Sequence, residues 1–65
     1  MNGADLLAAR SALGLTQGAL ATALGVGRRT VQQYEADDRA VPETIAKVMR
    51  AALIDRTILD RIAAA

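Results

Sequence analysis

The chain has 65 residues, 52% of them hydrophobic, and a formal net charge of +1. It sits near the lower size limit for a domain folding on its own core, and with no Phe, no Trp and Tyr34 as its sole aromatic, that core must be a thin one of Leu, Ile, Val and Ala. The absence of Cys and His removes thiol chemistry, the commonest metal ligand and the commonest general base, which argues against an enzyme and implies no cofactor or metal.

In chain order, Asn2 is placed to cap a first helix, with Asp5 three residues on as an approximate capping box. Leu6, Ala9 and Leu13 then recur at helical spacing, and Gly14 stands where a helix commonly turns left-handed. Thr16 is a good N-cap for a second helix, Gln17 to Leu24, whose inward side is Leu20, Ala21 and Leu24. Gly25 ends it. The next helix begins after only about three residues, the loop length of a helix-turn-helix.

That third helix, Gly27 to about Glu35, has one face to bury and one to offer. At about 100° per residue, Arg28, Gln32, Arg29 and Gln33 fall within an arc of roughly 140°, with Val31 and Tyr34 opposite. Arg pairs bidentately with guanine and Gln with adenine in the major groove, so the offered face suits the reading of double-stranded DNA. The small net charge hides an asymmetry. No acidic residue stands between Asp5 and Glu35, and Arg10, Arg28 and Arg29 lie inside that stretch.

Ala36 to Val41 reads as a polar connection. Pro42 is expected at the first position of the next helix, beside Glu43. The segment of about 42–63 carries two stripes: Ile45, Val48, Met49, Ala52 and Leu53 form one, while Ile54, Ile58 and Ile62 form another, rotated by more than a third of a turn. A single straight helix cannot bury both. Either the chain bends near Leu53 to Asp55, with Asp55 capping a fifth helix that packs on the first, or one long helix presents the isoleucines to another molecule. The bend is favoured, and a homodimer is expected either way. No apolar run is long enough to span a bilayer, and a soluble, cytoplasmic, nucleoid-associated protein is expected.

Arg10 to Glu35, reading RSALGLTQGALATALGVGRRTVQQYE, resembles the Cro/phage-repressor type, or XRE, helix-turn-helix domain. The likeness lies in Arg10, Gly14-Leu15-Thr16-Gln17, Leu20-Ala21, Leu24-Gly25-Val26, Thr30-Val31 and Tyr34-Glu35, and covers roughly residues 4–53. It implies an all-α, lambda-repressor-like fold of four or five helices, a single domain over 1–65 with its helix-turn-helix core at about 16–35. It also implies that Arg28, Arg29 and Gln33 read bases, with Gln32 secondary. Gln17, assisted by Thr16, with Gly27 and Thr30, would meet phosphates, as would Arg39 from the following loop. Arg10 and Glu35 would form an ion pair tying the first helix to the third. The partner implied is DNA with two-fold related half-sites, bound by a dimeric repressor, and no small-molecule ligand is evident. A protein-interaction module or antitoxin-like partner is the alternative. One departure stands out: the family usually has Gly shortly after the Glu, and here Ala36-Asp37-Asp38 follows, with both carboxylates expected to point away from the duplex.

Overall fold

The computed structural model describes the backbone of residues 1–64 and the side chains of residues 1–61. Its five helices are α1 (Gly3–Ala12), α2 (Gln17–Leu24), α3 (Arg28–Glu35), α4 (Glu43–Ile54) and α5 (Thr57–Ala64). The Asn2 side chain accepts from the Asp5 amide at 2.8 Å and the Asp5 carboxylate accepts from the Asn2 amide at 3.2 Å, so the capping box is complete.

The first two helices end with one device. Gly14 and Gly25 both have φ +71°, and the amide that follows each reaches back across the last turn, Leu15 to the Arg10 carbonyl and Val26 to the Ala21 carbonyl. The left-handed glycine turns the chain sharply and carries an apolar residue, Leu15 or Val26, back onto the core. The third helix ends in the same way without a glycine. Asp37 takes φ +59°, and the Asp38 amide donates to the Gln33 carbonyl at 2.9 Å. Asp37 therefore takes at the end of α3 the left-handed conformation that Gly14 and Gly25 take after α1 and α2.

Pro42 lies one residue earlier than expected. With ψ 146° it is the N-cap of α4 and not its first helical residue, although its carbonyl already accepts from the Ala46 amide. The segment 42–63 bends, because Asp55 is extended (φ −134°, ψ 101°) and its carboxylate accepts from both the amide and the hydroxyl of Thr57, which starts α5.

Leu6, Leu20, Val31 and Met49 are fully buried, joined by Tyr34, Leu59 and the alanines Ala9, Ala21, Ala46 and Ala52. Four alanines inside let the helix axes come close, which is how a chain with one aromatic residue fills its interior. α1 packs against α3 and α4, α2 against α3, and α5 against α2 and α4. The fifth helix thus packs on the second and fourth helices rather than chiefly on the first, and among its described residues Leu59, unassigned in either sequence stripe, is the buried one. Leu53 departs from its expected inward place and is 46% exposed at the end of α4. The bend also divides the isoleucine stripe: Ile54 is 91% exposed on α4 and Ile58 half-buried on α5, while the Ile62 side chain lies outside the described residues. No described helix is long and apolar enough to cross a membrane.

Candidate nucleic-acid interface

α3 is fixed by the side that does not show. Val31 is fully buried and Tyr34 nearly so, while Arg28, Arg29 and Gln32 are exposed and Gln33 and Thr30 half-buried. The strong segregation follows from sequence spacing alone, since residues 31 and 34 share one side of a 3.6-residue helix. Gly27, the N-cap, offers no side chain to the first amides of α3, and no acidic residue stands in its first turn, so both arginines sit at a bare positive helix end.

Beneath this face lies a nearly buried ion pair. The Arg10 guanidinium donates through Nε to Glu35 Oε2 at 2.6 Å and through Nη2 to Glu35 Oε1 at 3.1 Å, and its Nη1 donates to the Leu15 carbonyl at 2.9 Å. The side chains are 16% and 5% exposed. One planar fork therefore joins α1, the α1–α2 turn and the C-terminal end of α3. Burial by itself would raise the Glu35 carboxyl. The Arg10 hydrogen bonds, a bond from Gln17 and the Arg10 charge together outweigh it and hold the carboxyl below the ordinary carboxylate range. The same hydrogen bond to Glu35, against burial and aided by the carboxylate charge, raises the Arg10 guanidinium further above its already high value. The one acid on α3 is thus a neutralised strut.

The second helix joins the same group. Gln17 Nε2 donates to Glu35 Oε1 at 3.0 Å, and Gln32 Nε2 stands 3.4 Å from Gln17 Oε1. The Thr16 hydroxyl accepts from the Ala19 amide at 3.0 Å, so it serves first as a helix cap. Arg39 is exposed in the loop after α3. The sequence-derived set is therefore split: Arg28, Arg29, Gln32 and Gln33 share the α3 surface, Gln17 meets Gln32 across the turn, Thr16 and Gly27 sit at helix starts, and Arg39 lies past the far end of α3.

Two participants escaped sequence reasoning. Gly3, the first residue of α1, rests on the C-terminal end of α3, where a Cβ would stand 2.4 Å from the Glu35 carbonyl oxygen and 2.5 Å from that of Tyr34. Its amide donates to Asp37 Oδ1 at 2.8 Å. A glycine inside a helix is a cost that commonly has a packing reason, and that was the available signal at Gly3. The Asp37 carboxylate is turned to α1, a partnership between residues 34 apart that no local pattern carries.

A helix-turn-helix family model matches residues 6–54, from the first helix through the end of the fourth. Neither a curated protein nor a solved structure shows significant similarity to the chain. The matched span holds α2, the three-residue turn at Gly25 to Gly27 and the outward polar face of α3. The chain belongs to the Cro/C1-type helix-turn-helix family of DNA-binding regulatory domains.

Proposed function

We propose that this protein is a sequence-specific regulator of transcription, most simply a repressor, which binds double-stranded DNA as a homodimer on two-fold related half-sites. The observation that carries the reading is the division of α3, with Val31 and Tyr34 held inside and Arg28 and Arg29 exposed. Each subunit places α3 in one major groove, and the half-sites lie about one helical turn apart, roughly 34 Å. Arg28 and Arg29 select bases as bidentate donors to guanine, and Gln33 supplies the donor and acceptor pair suited to adenine. Gln17, aided by Thr16, Gly27 and Thr30, meets the backbone at one side of the groove, and Arg39 at the other. Dimer contact centres on Ile54, which is 91% exposed in the single chain and beside half-exposed Leu53. The protein acts in the cytoplasm, at the nucleoid.

The test is selection of bound sequences from random duplex DNA, first with the wild-type chain and then with Arg28→Ala and Arg29→Ala. Recovery of a two-fold symmetric site is expected, with preference lost at the positions each arginine reads and an unchanged melting curve, because both side chains lie outside the core. A wild-type chain that enriches no sequence would sink the proposal and favour the protein-interaction reading.

A further inference from the structure

We infer that Gln32 is a positioning residue: it holds the amide of Gln17 so that one N–H of Gln17 remains free to donate to a DNA phosphate. The inference rests on the DNA-binding reading above and goes beyond it, because it moves Gln32 from reading bases to orienting a backbone contact.

The argument starts from charge. Glu35 is nearly buried, and its carboxylate is held ionised by the Arg10 fork. An ionised carboxylate can only accept hydrogen bonds. Gln17, 3.0 Å from Oε1, must therefore turn its NH2 group toward Glu35 and its carbonyl oxygen away. Whatever stands next to that oxygen has to be a donor, and the group there is the NH2 of Gln32 at 3.4 Å. Polarity is thus handed on from Arg10 to Glu35, to Gln17, to Gln32, and flipping either amide in place would face like against like.

The count of hydrogens gives the consequence. Gln17 Nε2 carries two, of which Glu35 takes one, and the second has no acceptor among the described residues. Glu35 and Gln32 meet the Gln17 amide at its two ends, at 3.0 and 3.4 Å, leaving that single N–H without a partner among the described residues. Gln32 has spent part of its own amide across the turn and leans toward α2, unlike Arg28 and Arg29, which have no hydrogen-bond partner among the described residues.

The experiment uses the duplex selected by the wild-type chain. Affinity is measured over a series of salt concentrations for wild type, Gln32→Met, Gln17→Met and the double variant, methionine keeping the length and removing the amide. Gln32→Met is expected to weaken binding about threefold to tenfold on every sequence alike. The selected sequence and the slope against salt should both stay unchanged, since an amide releases no counterion. The double variant should bind no more weakly than Gln17→Met alone. In the free protein, Gln32→Met should also shift the side-chain NH2 signals of Gln17 in a nitrogen–proton spectrum, a readout independent of whether Gln17→Met folds. A changed base preference in Gln32→Met, penalties that add in the double variant, or unmoved Gln17 signals would overturn the inference and leave DNA binding standing. A wild-type chain that selects no duplex overturns both.

Discussion

Gly3 and Glu35 touch backbone to backbone: a Cβ on Gly3 would stand 2.4 Å from the Glu35 carbonyl oxygen, well inside van der Waals contact. The first turn of α1 is thereby seated on the last turn of α3. Side chains that change α1 at this point act on α3 directly.

Gly3→Ala should accordingly destabilise the domain, although Ala is the better helix former at almost any other helical position. The obstructing atoms are main-chain oxygens, which cannot swing aside, so a cost of about 2–3 kcal/mol is expected, in the range of overpacked cores. Thermal melting should record a drop of roughly 10 °C or more for a domain this small. A melting temperature equal to or above wild type would show that α1 and α3 can separate without loss.

Glu35→Gln should cost about 3 kcal/mol, because the nearly buried Arg10 guanidinium loses its counter-charge. The pH dependence has a definite sign. The Glu35 carboxyl is held below the ordinary carboxylate range in the folded chain and returns to the ordinary value on unfolding. Its stabilising contribution is complete above that ordinary value and is lost as pH falls through the folded value. Urea unfolding from pH 7 to pH 3 should therefore show the acid decline in wild type and a shallower one in Glu35→Gln. Parallel declines would mean that other carboxylates dominate.

Asp37 offers a separable test, since its left-handed backbone and its bond to the Gly3 amide make opposite demands. Asp37→Ala keeps the strained conformation and loses the bond, for a combined loss of about 1–2 kcal/mol. Asp37→Gly loses the same bond but relieves the backbone, and should fall near wild type. Asp37→Asn retains an acceptor and tolerates the conformation, so it should differ little. The ranking is read from denaturant midpoints, and an alanine variant as stable as the glycine variant would contradict it.

Local signals made most of the fold legible before any coordinates. Asn2 and Asp5, Thr16, Gly14, Gly25 and Asp55 each act within a few residues of themselves, so the start or end of each helix they mark could be read directly from the chain. The division of α3 was legible for the same reason, as was the Arg10–Glu35 pair through family likeness. What stayed hidden depends on residues distant in sequence. Leu59 is buried because α5 folds back onto α2, a landing place that periodicity inside 42–63 does not encode. Leu53, on the inner stripe by spacing, is left half outside because α4 ends one residue later. Gly3 carries no role that local pattern reveals and Asp37 reads as an ordinary loop residue, because both act only where α1 meets α3, and the link from Gln17 to Gln32 exists only across the turn at Gly25.

Ile54→Asp examines the dimer contact with little risk to the fold, since Ile54 is 91% exposed and leaves no cavity when replaced. The melting curve of the dilute monomer should stay within about 0.5 kcal/mol of wild type. Sedimentation at increasing concentration should show wild type associating and the variant remaining monomeric. Identical association of the two chains would place the interface elsewhere.

Tyr34 is the chain's single aromatic residue, and it lies inside the domain on α3. Every near-ultraviolet optical signal of an aromatic side chain therefore originates on α3. With no tryptophan to outshine it, tyrosine emission and near-ultraviolet circular dichroism report the seating of α3 in the core. The protein carries its own local probe, so loosening of α3 can be watched beside the loss of helix elsewhere, without a label.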